Sequence, residues 1–333
     1  MNTYRSFDWK KLLVASVLVL VCGIIVRAQR PQPAPTSSGQ PGTKWSVDEI
    51  KRAVAPVRTG PKLVPKWPNG AKVAVCMTYD IDNESPLLNN NNLLPTPLSE
   101  TEYGATSGLP RILALLDQNR IPATFYLPAV SAILAPEMIP AIQKSGRHEI
   151  ALHGWIHESL PALNNASEEE RLLHQAIDYL TKATGKRPVG TRAGAWALSP
   201  YSLNILRKAD LLYDSSLMGR DEPYNIISNG EDTGLLELPV SWIEDDAPYF
   251  GRTGALPSPE LIFRVYRDEF DTAYQEGTFV MLTFHPHISG RRSRAVHMAK
   301  LIEYMKMKPG VWFATAQQVA EYVKKNTAVH QTN

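Results

Sequence analysis

The sequence predicts an α/β fold in which parallel strands alternate with helices and the sheet closes into a barrel. Short apolar runs alternate along the chain with longer segments of helical period, and this alternation is typical of a parallel sheet with crossover helices. Several runs are almost continuously apolar, as strands covered on both faces are. About seven or eight such units follow one another, which favours a barrel over an open sheet.

Eight runs are predicted as strands because each is short, apolar and bounded by polar or turn-forming residues. They span residues 72–80, 123–129, 148–153, 188–192, 211–215, 235–240, 278–285 and 311–315. Five segments with the apolar spacing of one helix face span residues 108–120, 167–185, 199–209, 258–277 and 295–307. In the second of these, Ser167 and Glu170 have the spacing of a capping box, and Gly185 fits the C-terminal end. Residues 83–103 and 215–234, rich in Asn, Pro and Gly, are predicted as loops over a site.

The first 28 residues differ in character from the rest of the chain. Residues 1–28 have a basic start, an apolar stretch at 12–26 and a small residue before a polar segment, which indicates a secretory signal. The alternative is an uncleaved anchor that attaches the protein to a membrane through residues 12–26. Either way the protein is expected to be exported: periplasmic, extracellular or membrane-anchored facing outward. Residues 29–61 are predicted as a Pro/Ser/Gly-rich linker and lead-in, 62–325 as the catalytic domain and 326–333 as a tail.

The charge balance argues against nucleic acid as a partner. The whole chain has a formal net charge of +2, and residues 1–28 carry four basic residues and one acidic one, so their removal would leave −1. A protein without a basic excess does not hold nucleic acid by its phosphates. Only Cys76 would remain after cleavage, so no internal disulfide is expected. Nothing in the sequence predicts an oligomeric state.

Polar residues follow the predicted strands where catalytic residues of a barrel are found. In such a barrel the carboxyl ends of the strands meet at one face, and the chemistry takes place there. Five segments contribute unusual polar residues to this face: Asp80 and Asp82, His153 with His157, Arg192, Asp214, and His285.

Three of these side chains fit an open metal site. His153 and His157 share a face if the backbone turns helically after the strand, so both imidazoles could reach one ion. Asp82 supplies a hard oxygen ligand. Two histidines and one carboxylate, with the remaining positions left to water, match a catalytic site, and Zn²⁺ is the expected divalent ion. The alternative is a pair of buried core histidines.

The remaining strand-end residues fit acid–base chemistry. Asp80 and Asp82 point to the same side of a strand, and a cation would relieve their repulsion. Asp80 would then be free to accept a proton from water, while His285 could protonate a leaving amine. His287 is a rival for the acid. Arg192 is expected to pair with Asp80, with Asp214 holding Arg192 in turn.

These segments in this order resemble carbohydrate esterase family 4, the polysaccharide deacetylases with a NodB-homology domain. The resemblance spans roughly residues 62–325 and rests on five motifs: TYDID (78–82), HGWIH (153–157), TRAGAW (191–196), YDSS (213–216) and LTFHPH (282–287). It implies a distorted (β/α)₇ barrel and metal-dependent removal of N-acetyl groups from a polysaccharide such as peptidoglycan or chitin. The first aspartate of the family acts as base and the second binds the metal.

The resemblance also implies where the substrate lies. The oxyanion donor of the family, a backbone amide after the arginine motif, maps near Ala195. Trp196 and Trp242 are candidates for the wall of a sugar-binding groove, with burial in the core as the alternative.

This sequence departs from the family pattern at two positions, and other functions remain open. Ile81 separates two aspartates that are usually adjacent, and Gly194 stands where proline is common. Further segments look closer to a sub-branch that holds peptidoglycan deacetylase-like proteins and metal-independent allantoinases. The alternatives are therefore hydrolysis of a cyclic amide and a non-catalytic carbohydrate-binding protein on the same fold. An iron oxygenase with the same ligand types would need many short antiparallel strands, which the frequent helices argue against.

Overall fold

The computed structural model describes residues 40–251 and 256–327. The predicted signal or anchor at 1–28, much of the predicted linker and most of the predicted tail lie outside the described residues. None of the helices described is both long and apolar enough to cross a membrane. The described residues divide into two compact units, the first ending at residue 51 and the second beginning at residue 52. In the described part of the first, Ser46 and Glu49 form a reciprocal capping box, because the backbone N–H of each bonds the other side chain.

Parallel strands form the body of the second unit. The described ranges contain the strands β1 Arg58–Lys62, β2 Val73–Asp80, β3 Thr124–Leu127, β4 Glu149–Leu152, β5 Gly190–Thr191, β6 Tyr213–Asp214, β7 Tyr224–Ser228, β8 Glu231–Glu237, β9 Phe279–Phe284 and β10 Val311–Phe313. Eight of them pair in parallel: seven follow the order β9-β2-β3-β4-β5-β6-β8, and β10 pairs with the start of β2. After β8 the chain returns to β9 through a parallel bridge between Asp245 and Thr283. The sheet therefore curls into a barrel, as the alternation predicts.

Most of the described helices follow or connect strands of the sheet. In chain order the helices are α1 Val47–Val54, α2 Ser85–Asn89, α3 Pro95–Tyr103, α4 Leu109–Asn119, α5 Ala129–Leu134, α6 Met138–Gln143, α7 Leu160–Leu163, α8 Ala166–Thr184, α9 Ser202–Lys208, α10 Ala247–Phe250, α11 Pro259–Glu276, α12 Pro286–Ser289, α13 Arg292–Met307 and α14 Ala316–Thr327. The five helices predicted from periodicity correspond to α4, α8, α9, α11 and α13.

The strand β2 shows why Asp80 faces the site. Every residue of β2 is buried, because its two faces belong to different apolar clusters. Val75 and Met77 pack in the larger cluster with helix residues, whereas Ala74 and Cys76 pack with residues of other strands inside the barrel. Side chains alternate along a strand, so Asp80 has the orientation of Ala74 and Cys76. It therefore lies at the carboxyl-end mouth of the barrel.

The two segments predicted as loops contain regular structure. Residues 83–103 include α2 and α3, while 215–234 include β7 and the start of β8. The strands β7 and β8 form an antiparallel hairpin whose two-residue turn is Asn229-Gly230, both with positive φ. Asn-Gly is the strongest short-range signal for such a turn. The loop prediction for 215–234 was wrong because it counted Asn and Gly as irregular.

The N-terminus of α8 also differs from the prediction. The helix begins at Ala166, and the side chain of Asn165 accepts a hydrogen bond from the Glu168 backbone N–H at 3.1 Å. Ser167 therefore lies inside the first turn rather than at the cap. The C-terminal end is as predicted, with Gly185 in the left-handed conformation at φ +74°.

We expect Asn165→Ala to lower the free energy of unfolding by about 1 kcal/mol, because it removes the cap. The matched control is Ser167→Ala, an exposed change in the same turn that should stay within about 0.5 kcal/mol of wild type. Urea denaturation followed by circular dichroism measures both. A larger loss for Ser167→Ala than for Asn165→Ala would restore the capping-box assignment.

Candidate active site

Asp80 and Arg192 form a buried ion pair at the mouth of the barrel. Arg192 follows β5 and is fully buried, and its Nη1 lies 2.6 Å from Asp80 Oδ1. The guanidinium also donates to the Thr78 hydroxyl and to the carbonyl and hydroxyl of Ser215. Its centre lies 4.0 Å from the middle of the Tyr126 ring. The structure thus brings together the two residues that the sequence pairs, and it holds the carboxylate of Asp80 in one orientation.

Asp214 does not hold Arg192, contrary to the sequence prediction. Its Oδ1 accepts a hydrogen bond from the Ser216 hydroxyl at 2.9 Å, and that hydroxyl accepts the backbone N–H of Ala193. Burial raises the pKa of Asp214. Burial and the neighbouring charge of Asp214 raise the pKa of Glu237. Asp214 therefore supports the backbone after Arg192 through Ser216. Parallel pairing of β5 and β6 brings the carbonyl and hydroxyl of Ser215 to the guanidinium instead.

Asp82, His153 and His157 converge as the sequence predicts. The Nε2 atom of His153 lies 3.3 Å from Asp82 Oδ1, and Nε2 of His157 lies 3.8 Å from Asp82 Oδ2. One ligand atom from each of the three residues lies within 4.8 Å of the other two. Burial would raise the pKa of Asp82, but His157, His285 and His153 outweigh it, so the pKa lies well below its ordinary value. Positive charge beside Asp82 therefore stabilises its carboxylate form.

The hydrogen bonding of this group fits a divalent cation. The Nδ1 atom of His153 lies 2.7 Å from the carbonyl oxygen of Arg192. A carbonyl can only accept, so Nδ1 carries a proton. Burial would lower the pKa of His153, but Asp80 and Asp82 raise it, so without a cation Nε2 is also protonated; in the neutral ring that binds a cation, Nε2 presents a lone pair. The Asp82 Oδ1 atom is buried and has no hydrogen-bond partner among the described residues. A cation satisfies both electron-rich atoms, and a carbonyl behind a ligating imidazole is a common support.

A tight loop, rather than the predicted helical turn, brings the two histidines together. Residues 153–158 are not helical, and Gly154 and His157 have positive φ angles of +77° and +56°. The ring centroids of His153 and His157 are 5.0 Å apart. A Cβ atom on Gly194 would lie only 2.9 Å from Nδ1 of His157. The glycine that replaces the usual proline therefore makes room for the His157 ring.

The structure distinguishes His285 from His287. The Nδ1 atom of His285 lies 2.6 Å from Asp246 Oδ1, and its Nε2 lies 3.6 Å from Asp82 Oδ2. Burial would lower the pKa of His285, but Asp246 and Asp82 raise it well above its ordinary value. Burial and the neighbouring His285 lower the pKa of His287 to about 4, and its Nδ1 has no partner among the described residues. His285 is thus the histidine with the protonated form an acid needs.

Sequence reasoning missed Asp246 and its neighbour Asp245. Both are buried, and Asp246 also accepts the backbone N–H of His285. Burial raises the pKa of Asp245 to about 7, although His285 opposes the shift. The sequence signal that could have identified them is the run of three acidic residues at 244–246, shortly after β8.

The loop after Arg192 carries the predicted substrate residues. Ala195 is exposed, and both Ala195 and Trp196 have positive φ angles of +51° and +53°. The Trp196 ring is buried and stacks on Trp242, with ring centroids 4.1 Å apart. Trp242 is 46% exposed. The pair therefore offers one accessible aromatic face supported by a buried ring.

Comparison with known proteins points to a single family. Residues 100–213 match the polysaccharide deacetylase family, a segment that contains His153, His157 and Arg192. A peptidoglycan deacetylase from Helicobacter pylori is 29% identical over 263 residues, covering 70% of this chain and 89% of the relative.

Solved structures share the fold. A crystal structure from Mycobacterium smegmatis, described as that of a polysaccharide deacetylase, is 35% identical to this chain and has a TM-score of 0.75. The match covers 81% of this chain and 96% of that one. An allantoinase is 26% identical with a TM-score of 0.69, over 78% of this chain and 92% of that one. The expected distorted (β/α)₇ barrel is confirmed.

We expect the protein, once treated with chelator and dialysed, to bind one divalent cation per chain. Asp82→Asn should weaken the binding by at least about tenfold, because it removes the charge between the two imidazoles. The matched control is Asp245→Asn. Asp245 is a buried carboxylate that forms, with Asp246 and His285, a second group of side chains close enough to hold a metal ion. Calorimetric titration with Zn²⁺ measures both. A larger loss of cation affinity in Asp245→Asn than in Asp82→Asn would place the cation at the second group instead.

Proposed function

This chain belongs to the polysaccharide deacetylase family, and we propose that it is an exported, divalent-metal-dependent hydrolase that removes N-acetyl groups from a polysaccharide of the peptidoglycan or chitin type. The enzyme class expected from the sequence, a hydrolase of carbon–nitrogen bonds other than peptide bonds, is confirmed by the family match and the curated relatives. The observation that carries the proposal is the convergence of Asp82, His153 and His157 beside the buried Asp80.

Asp82, His153 and His157 are the residues that would hold the cation, for which Zn²⁺ is expected. When bound, such an ion supplies Lewis-acid polarisation of the amide carbonyl and lowers the pKa of water. The chain contributes the position of these three ligands, because the carbonyl of Arg192 orients His153 and Gly194 leaves space for His157.

Asp80 is the proposed general base. Its Oδ1 is bound by Arg192, which leaves Oδ2 on the side of the histidines, 3.8 Å from His153 Nε2. This oxygen can accept a proton from the attacking water as the carbon–oxygen bond forms. The ion pair with Arg192 orients the carboxylate, so Oδ2 is the oxygen available for this proton.

His285 is the proposed general acid. Its Nδ1 is held by Asp246, so Nε2 points towards Asp82 and the reacting amide. Protonation of the amide nitrogen there lets the sugar amine leave as the carbon–nitrogen bond breaks. Asp246 stabilises the imidazolium and fixes which nitrogen faces the substrate.

The loop after Arg192 is proposed to receive the acetyl oxygen and the sugar. The backbone N–H of Ala195 is the candidate oxyanion donor, because the turn that carries it is anchored by Ser216 at Ala193. The exposed face of Trp242 is suited to a sugar ring, whose apolar face packs on aromatic side chains.

Hydrolysis of a cyclic amide is the second candidate. The allantoinase likeness favours it, and the same base and acid could open a ring amide. The signal-like residues 1–28 favour an extracellular polymer instead, as does the H. pylori relative, which is a peptidoglycan deacetylase. The complete set of acid, base and ligands disfavours a non-catalytic binding protein.

We expect acetate release from acetylated chito-oligosaccharides or peptidoglycan, with allantoin assayed in parallel. Chelation should abolish the activity and Zn²⁺ should restore it. Asp80→Asn should lower kcat by about 10²–10⁴-fold, because the amide cannot accept the proton from water. Metal content measured on the same samples shows that the site is still loaded. Activity that persists after complete metal removal contradicts the mechanism, and turnover of allantoin alone favours the second candidate.

We expect His285→Ala to lower kcat by about 10²–10⁴-fold, because the leaving amine loses its acid. His287→Ala is the matched control from the same loop and should lower kcat by less than about tenfold. Steady-state assays at equal metal content separate the two. A larger loss in His287→Ala would reassign the acid to His287.

A further inference from the structure

Glu158 lies directly after the second ligating histidine, and the proposed mechanism gives it no role. Its side chain is 5% exposed and turns back onto its own loop. Both carboxylate oxygens accept the backbone N–H of Trp155, at 3.2 and 2.9 Å, and Oε2 also accepts the N–H of Ile156 at 2.9 Å. The carboxylate is therefore bound by the loop that separates His153 from His157.

Two successive backbone N–H groups, those of Trp155 and Ile156, converge on this carboxylate, as the N–H groups of an anion-binding nest do. Gly154 has φ +77°, and a Cβ atom there would lie 2.8 Å from Oε2 of Glu158. Left-handed and right-handed residues in succession point their N–H groups into one concavity, which usually receives an external anion. Here the anion is a side chain of the same loop, so the loop is closed by its own carboxylate.

This closure fixes the second ligand of the proposed metal site. His157 lies between Ile156 and Glu158 and has a positive φ of +56°, a conformation that a histidine keeps only under external constraint. The other backbone hydrogen bonds of the loop within the described residues are accepted by its carbonyls: Gly154 accepts from Ala129 N–H at 3.3 Å, Trp155 from Val130 N–H at 2.8 Å, and His157 from the Asn89 amide at 3.4 Å. None of these holds the N–H groups of residues 155 and 156.

We propose that Glu158 is a positioning residue that sets the separation of the His153 and His157 imidazoles and thereby the affinity of the site for a divalent cation. The inference rests on the proposed function in one respect, namely that these histidines hold the ion. Glu158 touches neither the cation nor the substrate; it acts through the backbone of the loop.

The test is the cation affinity of chelator-treated protein, measured with Zn²⁺ against a chromophoric chelator, and the visible spectrum of the Co²⁺ form. Glu158→Ala should bind about 10–100-fold more weakly than wild type and give an altered Co²⁺ spectrum. Glu158→Asp, which keeps the charge on a shorter side chain, should recover part of the affinity. Gly154→Ala should also weaken cation binding, because the added methyl group displaces the Glu158 carboxylate. This variant replaces Glu158→Ala in the test if Glu158→Ala does not fold.

Glu169→Gln is the matched control. Glu169 is a buried carboxylate that lines the same cavity as Glu158 but accepts from the hydroxyls of Ser199 and Ser202. Its substitution should leave the cation affinity within about twofold of wild type, even if the melting temperature falls. Unchanged affinity in Glu158→Ala, or an equal loss in Glu169→Gln, overturns the positioning role alone. Failure of the wild type to bind any divalent cation overturns the proposed function as well.

Discussion

The buried guanidinium of Arg192 is the contact on which the rest of the site depends. Its side chain pairs with Asp80, and its own carbonyl accepts from His153, so a single residue orients both the base and a ligand. A fully buried charge is tolerated only when it is paired and hydrogen-bonded. Here Asp80, Ser215 and the face of Tyr126 satisfy it together. Loss of any one of these partners would therefore disturb base and ligand at once.

Four of the ten non-glycine residues that have positive φ angles in the described part of the chain lie in the loops that carry the site. Asn83, His157, Ala195 and Trp196 have positive φ angles although none is glycine. Such conformations persist where surrounding structure imposes them, often at functional sites. The constraints are identifiable: Glu158 closes the loop before His157, and Ser216 anchors the turn before Ala195. The barrel supplies rigid strand ends, and these two side chains shape the loops between them.

The two halves of the acid–base chemistry receive opposite charges from their surroundings. Asp80 lies against a cation, Arg192, while His285 lies against an anion, Asp246. Arg192 orients the carboxylate of the base, whereas Asp246 raises the pKa of His285 and so favours the imidazolium that the acid needs. His287, only two residues away, has no hydrogen-bond partner at Nδ1 among the described residues, and burial and His285 lower its pKa. Partner geometry, and not residue type, separates these two histidines.

The sequence by itself determined the barrel, its parallel strands and the polar residues at their ends, because apolar runs and helical periods are local properties of the chain. It also placed Asp80, Asp82, His153, His157 and Arg192 at one face, since parallel strands end together. Only the tertiary structure decided that Arg192 bonds Ser215 rather than Asp214, that Asp246 selects His285, and that a clamped loop joins the histidines. These outcomes depend on strand register and on side chains tens of residues apart, which no local pattern encodes.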